Sequence, residues 1–201
     1  MLVMTLLPEG VMSQMIFSHD TELTLRAVCA LINTDRVDGE QLGDQAALDA
    51  HLAGGGYTGR RDHDAEELAQ VRRLRERLGH VWEFARDEER AVGAVNALLS
   101  DTRAAPWLTR HPEMPEWHLH LASNHDPLAQ RMGAEMAMAI ADVIRAGELR
   151  RLKVCAAPDC EAVLIDLSRN RSRMFCDTGN CGNRQHVAAY RERRAREGPS
   201  G

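Results

Sequence analysis

The sequence is poor in aromatic residues and contains no long uncharged apolar run. Aromatic residues make up 4% of its 201 residues, so a hydrophobic core has to rely on Leu, Val, Ala and Met. No stretch of 18 uncharged apolar residues is present, which excludes a typical membrane-spanning helix. The first Lys or Arg is Arg26, so the positively charged start of a secretory signal is lacking. We therefore expect a cytoplasmic protein with reduced thiols and no membrane partner.

An overall excess of positive charge is also lacking. The formal net charge of −5 argues against a globally basic nucleic-acid binder. Residues 151–201 nevertheless carry ten basic and six acidic side chains, a net charge of +4, whereas residues 1–150 have a net charge of −9. Such asymmetry is typical of a nucleic-acid-facing module, and a solvated helix face produces the same composition.

Four of the five cysteines fall close together near the C-terminal end. Cys155, Cys160, Cys176 and Cys181 follow the order Cys-x4-Cys-x15-Cys-x4-Cys. Two close pairs separated by a spacer are typical of a four-thiolate zinc site, in which each pair supplies two corners of a tetrahedron. An all-cysteine ligand set leaves no open position for water. The spacing therefore predicts one structural Zn²⁺ rather than a catalytic one.

Other uses of these thiols are weaker alternatives. Two disulfides would give the same spacing, but a reducing compartment and a chain of this size disfavour them. Dithiol redox catalysis would require two residues between paired cysteines instead of four. The fifth cysteine, Cys29, lies in an apolar run and is predicted to be a small core residue.

Local signals predict a mainly α fold with short β hairpins, in the α+β class. Capping residues and apolar spacing indicate five helices before residue 150. We expect them to begin at Asp20 or Thr21, after Asp44, at Asp64, after the break at Arg86–Asp87, and at Asp126-Pro127.

Between the last two of these helices, the proline-rich segment 104–123 predicts a short β segment. In it, Trp117–Leu121 would pair with Trp107–Thr109.

The pattern divides the chain into a helical domain and a small zinc module. The helical domain would cover residues 1–150 and the module residues 151–197, with a frayed tail at 198–201. Residues 147–153 would link the two parts, with Gly147 as a hinge.

Within the module, residues 162–166 would form a strand that pairs with the returning Met174-Phe175. A helix would then run from Cys181 to about Arg196. Val187 and Tyr190, one helical turn apart, would pack against the hairpin, which gives a treble-clef-like arrangement.

The segment from Cys155 to Arg194 resembles the CGNR zinc-finger family, named for the tetrapeptide Cys181-Gly182-Asn183-Arg184. The short motifs Ser168-Arg169-Asn170 and Arg173-x-Phe175-Cys176 also match the pattern of that family. Members of that family carry an N-terminal helical domain called ABATE, described as a stress-induced transcription regulator. Residues 20–150 are compatible with it, and Ala30–Thr34 is similar to its early Asn-Thr signature.

Three positions depart from the family pattern. An aromatic residue expected near Leu164–Ile165 is missing, and Phe175 stands where Trp is common. His186 stands where Lys is common, which removes a permanent positive charge from the last helix.

The resemblance implies a DNA-binding regulator that is not an enzyme, with a small-molecule or protein effector at the helical domain. Basic side chains of the module would then contact phosphates. The candidates are Arg169, Arg171, Arg173, Arg184, Arg191 and Arg194. Asn183 and Arg184 directly follow a cysteine, so they are also candidates to support the zinc ligands through hydrogen bonds.

Two other functions remain open from the sequence. In a protein-interaction module, zinc would only hold the fold, and the arginines would grip an acidic partner or the helical domain itself. An enzyme could use the histidines between residues 111 and 125, His111, His118, His120 and His125. No nucleophile and base occur at a recognisable spacing, which favours a non-enzymatic protein.

Overall fold

The computed structural model describes residues 16–54, 57–111 and 114–197. These ranges contain six α-helices and two antiparallel hairpins, as predicted for the fold class. The helices are α1 (His19–Ile32), α2 (Gln45–Ala53), α3 (Ala65–Glu83), α4 (Glu88–Asp101), α5 (Leu128–Arg145) and α6 (Cys181–Glu197). The strands are β1 (Trp107–His111), β2 (Met114–His120), β3 (Leu152–Val154) and β4 (Val163–Ile165). The predicted frayed tail at 198–201 lies outside the described residues.

Aspartate side chains fix the starts of three helices. Each accepts a hydrogen bond from a backbone N–H in the first turn, which would otherwise lack a partner. These aspartates are Asp44 before α2, Asp64 before α3 and Asp87 before α4. All three starts agree with the sequence prediction.

The starts of the two other predicted helices differ by one or two residues. Helix α1 follows Ser18 and begins at His19, earlier than the predicted cap at Asp20 or Thr21. Helix α5 follows Pro127. The Asp126 carboxylate accepts from the Ser123 backbone N–H, so it closes the preceding turn instead of capping α5.

Helix α5 lies at the centre of the main hydrophobic core. Its buried stripe includes Met132, Met136, Ile140 and Val143, as the apolar spacing predicts, and the helix packs against α1, α3 and α4. Aliphatic and methionine side chains fill most of this core, and Trp82 is the buried tryptophan. None of the helices in the described ranges combines the length and apolar character needed to span a bilayer.

Strands β1 and β2 form the predicted hairpin. Trp107 pairs with His120, and Thr109 pairs with His118. Because side chains alternate along a strand, Leu119 and the exposed Trp117 share the face opposite to the buried His118.

The second hairpin differs from the prediction, because β4 pairs with β3 and not with residues 174–175. Leu152 on β3 and Val163 and Ile165 on β4 enter the main helical core, which selects this pairing. Met174 instead accepts a hydrogen bond from the Ala156 N–H through its carbonyl oxygen. The returning segment therefore runs beside the loop that follows β3.

Residues 147–153 are not a loose link. Gly147 has a φ of +66° and ends α5, as a glycine after a helix commonly does. Beyond it, a 3-10 turn over Leu149–Arg151 leads into β3, and Leu149 and Arg151 are both buried. Leu149 and Leu152 pack in the main helical core, and the hinge at Gly147 stays a prediction. The division at residue 150 stays a prediction.

Candidate metal centre

The four clustered cysteines come from three places in the fold and meet at one point. Cys155 and Cys160 flank the turn between β3 and β4, Cys176 ends the returning segment, and Cys181 is the first residue of α6. All four Sγ atoms lie within 4.8 Å of one another. The Cys176 Sγ lies 3.7 Å from that of Cys160 and 3.6 Å from that of Cys181.

These distances fit a tetrahedral zinc ion. Four sulfurs placed about 2.3 Å from one zinc ion lie about 3.8 Å from each other, whereas a disulfide requires about 2.05 Å. The described cysteines are all free thiols. The chain therefore carries one structural zinc site, and the disulfide alternative is excluded.

Backbone hydrogen bonds shape the turns that hold these sulfurs. The Cys155 N–H donates to the Ala162 carbonyl at 2.8 Å, and the Cys160 N–H donates to Ala157 at 3.2 Å. A Cβ at Gly179 would lie 3.0 Å from the Cys181 Sγ. Only glycine therefore lets the second turn approach the sulfur so closely.

The surroundings of the cysteines have opposing effects on their acidity. Burial raises the pKa of Cys155, but backbone N–H groups of Ala157 and Cys176 that donate to its sulfur bring the pKa below its ordinary value. Burial raises the pKa of Cys176 to about 12. Zinc must displace these protons to bind thiolates, so its apparent affinity falls as the pH falls.

Arg184 lies directly against the metal centre. Its Nη2 donates to the Cys181 Sγ at 3.1 Å, and its Nη1 lies 3.4 Å from the Asp159 carboxylate. The hydrogen bond to the Cys181 sulfur raises the pKa of Arg184 above its ordinary value. Asn183 bonds instead to the Asn180 side chain at 2.8 Å. Of the two residues predicted to support the ligands, Arg184 contacts a sulfur, while Asn183 closes the preceding turn.

Asp166 organises the turn between β4 and the third cysteine. Its fully buried carboxylate accepts hydrogen bonds from the backbone N–H groups of Ser168 at 2.9 Å and Arg173 at 3.0 Å. The Lys153 Nζ donates to the same carboxylate at 2.6 Å. Burial raises the pKa of Asp166, but the donors of Lys153 and Ser168 outweigh that effect and bring the pKa below its ordinary value. This network fixes the backbone of residues 166–173.

Three of the predicted phosphate contacts pair with acids of the chain itself, one of them being Arg184 with Asp159. Arg171 makes two hydrogen bonds to Glu148, at 2.6 and 2.9 Å, and these lower the pKa of Glu148. Arg173 forms an ion pair with Asp177. Arg171 thus binds an acid within residues 1–150, as in the alternative where the arginines grip the helical domain, whereas the partner of Arg173 belongs to the zinc module itself.

The other predicted contacts are exposed. Arg169, Arg191 and Arg194 have no carboxylate within ion-pair distance among the side chains that the structure describes. The Arg194 guanidinium lies 6.0 Å from the centre of the Tyr190 ring. These three residues are therefore available to a partner.

The prediction that Val187 and Tyr190 pack against the hairpin is wrong. They are 47% and 54% exposed, because α6 projects from the zinc site. The part of α6 that contacts the rest of the module is its first turn: Cys181 is buried at the sulfur cluster, and Gly182 lies beside Phe175. Leu152, Val163 and Ile165 of the hairpin pack in the helical core. Leu164 packs beside the cysteines, where it meets the first turn of α6 through Cys181.

The sequence analysis missed the residues that dock the zinc module. Asn33 bonds to the backbone of Val163, and the Trp82 Nε1 donates to the Leu164 carbonyl at 3.2 Å. The signal at Asn33 was its place in the Asn-Thr pair that is similar to the ABATE signature. No local pattern indicated its partner.

The described residues contain one group of three or more potential metal ligands, and it is the cysteine cluster. The rings of His118 and His120 lie side by side, with centroids 5.1 Å apart. The side chain of His111 lies outside the described part of the chain.

Two family models match this chain. Residues 151–194 match the model described as CGNR zinc finger. Residues 25–147, more than half of the chain, match the ABATE model, described as "Putative stress-induced transcription regulator". A comparison with curated proteins finds no significant match.

Proposed function

The chain belongs to the ABATE family and carries a CGNR zinc finger, and from this membership we propose that it is a transcription regulator that binds DNA through its zinc module. The observation that carries the proposal is α6, a cationic helix that zinc anchors at its first turn. From Asn183 to Arg194, the described side chains of α6 are exposed, apart from the half-buried Gln185. An exposed helix of this kind can enter a groove of DNA.

The dimensions of α6 suit such a groove. Its 17 residues correspond to a length of about 25 Å. The major groove of B-DNA is about 12 Å wide and admits one α-helix. Because the rest of the module lies at the N-terminal end of α6, the helix can enter a groove without a clash from β3 or β4.

Charge supports contact with phosphates instead of a purely apolar partner. Arg169, Arg191, Arg193 and Arg194 are exposed. Zinc bound by four thiolates adds two negative charges to the module, and Arg184 lies where it offsets part of that charge. If about four arginines displace counterions, the logarithm of the DNA affinity should fall against the logarithm of salt concentration with a slope of roughly −3 to −4.

The proposal includes a non-catalytic role in the cytoplasm. Four cysteines complete the coordination of zinc and leave no position for a reacting water. Reduced thiols at this site suit a reducing compartment.

The test is an unbiased selection of DNA by the purified, zinc-loaded full chain from a random-sequence pool. We expect enrichment of a sequence motif, and retardation of the selected DNA with the salt dependence given above. If no sequence is enriched and no salt-dependent retardation occurs, the proposal is wrong.

A second candidate function is a protein-interaction module. The ion pairs of Arg171 with Glu148 and of Arg173 with Asp177 show that arginines of the module bind carboxylates. Exposed Val187 and Tyr190 would suit a protein surface. In that case, substitutions on α6 would abolish a protein complex and leave DNA retardation unchanged.

A further inference from the structure

A cavity of about 310 Å³ lies in the helical domain between α1, α5 and β2. Its inner end reaches Met132 and Met136, each 1% exposed. Its mouth lies beside Leu23 and Leu119, which are 46% and 37% exposed. Volumes of this order are typical of sites for small organic ligands. The zinc module contributes none of the lining, so the cavity is separate from the metal centre.

The lining carries three carboxylates, from Asp20, Glu135 and Asp142. All three are half-buried. Asp142 already pairs with Arg145 at 3.1 Å, so Asp20 and Glu135 are the candidates to pair with a ligand. Burial raises the pKa of the Glu135 carboxyl above its ordinary value, and the nearby Asp20 adds to this rise. Its Oε1 accepts a hydrogen bond from the Leu121 backbone N–H at 3.0 Å. That bond orients the carboxylate without neutralising its charge.

The strongest cation in the wall is already held by the protein. Arg131 is 8% exposed, and its guanidinium donates to the backbone carbonyls of Thr58, Arg60 and Asp126. Three carbonyl oxygens occupy this group, so it is poorly placed to bind an anionic ligand. His118 lies close enough to Glu135 to lower the pKa of that carboxyl.

The rest of the lining is apolar and adaptable. Met132, Met136 and Met138 contribute flexible thioether side chains, which adjust to ligands of different outline. The Tyr57 ring also lines the cavity, and the face of an aromatic ring attracts a cation. The cavity thus combines negative charge, one aromatic ring and a deformable apolar wall.

We propose that this cavity binds an organic cation with an apolar body, whose ammonium group pairs with Glu135 and Asp20 while its body lies against the methionines. The inference concerns a site separate from the DNA-binding module. Its test therefore requires no DNA, and its outcome is independent of whether the module binds DNA.

The test is isothermal titration calorimetry on the zinc-loaded full chain with three probes that share one bicyclic body. Naphthylmethylamine is cationic at neutral pH, naphthylmethanol is neutral, and naphthoate is anionic. We expect the amine to bind at least about tenfold more tightly than either of the others. Equal binding of all three, or no binding of the amine up to its solubility limit, would overturn the proposal.

Charge-neutralising variants locate the binding. Glu135→Gln keeps an acceptor for the Leu121 N–H and should weaken amine binding about tenfold or more. Asp20→Asn should weaken it as well, and it provides a second measurement if Glu135→Gln fails to fold. Glu76→Gln, on the exposed face of α3 and away from the lining, is the matched control and should bind the amine like the unaltered chain. Unchanged amine affinity in both cavity variants would contradict the assignment.

Discussion

Asn33 and Val163 exchange two hydrogen bonds, although they lie 130 positions apart in the sequence. The Asn33 Nδ2 donates to the Val163 carbonyl at 2.9 Å, and the Val163 N–H donates to the Asn33 Oδ1 at 2.8 Å. The side-chain amide thus pairs with β4 as a neighbouring strand would, along the edge that β3 leaves open. This contact fastens the hairpin of the zinc site to the end of α1.

We predict that Asn33→Ala lowers the free energy of unfolding by about 2–4 kcal/mol, because two buried backbone groups lose their partners. Urea denaturation followed by circular dichroism measures this loss. Asn96→Ala, on the exposed side of α4, is the matched control and should change the stability by less than about 0.5 kcal/mol. Equal losses in the two variants would show that the bonds to Val163 contribute nothing.

We predict that Cys155→Ser removes the zinc that the unaltered chain binds, one ion per chain, because three thiolates cannot complete the tetrahedron. Loss of the metal should also reduce the helical signal of α6 and the resistance to unfolding, since binding energy at such a site is folding energy. Metal analysis and circular dichroism measure the two effects.

Cys29→Ala is the control for this substitution. Cys29 is buried in the main core, where burial raises its pKa to about 12, and it lies outside the cysteine cluster. The Cys29→Ala variant should therefore retain one zinc ion per chain. Loss of zinc in Cys29→Ala, or full zinc in Cys155→Ser, would contradict the assignment of the ligands.

We predict that the double substitution Arg191→Gln and Arg194→Gln weakens DNA binding about tenfold or more at low salt and makes the salt slope shallower by about 2, since each phosphate contact contributes about 1. Electrophoretic retardation over a range of salt concentrations measures both quantities. The matched control is Arg73→Gln with Arg86→Gln, two exposed arginines of the helical domain. If the substitutions on α6 and those in the helical domain weaken DNA binding equally, the binding site is not located on α6.

We predict that Glu40→Gln removes a pH-dependent contribution to stability. The hydrogen bonds from the buried Arg75 lower the pKa of Glu40 from 4.5 to about 2. Because the pKa is lower in the folded chain, the stabilisation is fully present above pH 4.5 and is lost as the pH falls towards 2. The stability difference between the unaltered chain and the variant should therefore be largest at neutral pH and vanish near pH 2.

Screening by solvent limits the stability difference between the unaltered chain and Glu40→Gln. The Glu40 side chain is 39% exposed, so we expect a difference of about 1 kcal/mol at pH 7. Glu66→Gln is the control, because Glu66 pairs with Arg73 on the surface and should show a smaller difference. Urea denaturation at several pH values measures both, and a Glu40→Gln effect that does not change with pH would contradict the prediction.

Local sequence determined the starts of α2, α3 and α4 and the metal ligands. A cap at Asp44, Asp64 or Asp87 depends on residues within one turn, and the spacing of the cysteine pairs brings their sulfurs together through short turns. The start of α6 at Cys181 was predictable for the same reason. These features require no knowledge of how distant segments pack.

Tertiary structure decided how the zinc site joins the rest of the protein. The pairing of β4 with β3, the contact of Asn33 with Val163 and the ion pair of Arg171 with Glu148 each join segments whose proximity depends on the packed core. The cavity beside Glu135 likewise arises from the packing of α1, α5 and β2. Such contacts are fixed by the geometry in which apolar faces are buried together, and that geometry does not follow from the spacing of residues along one segment.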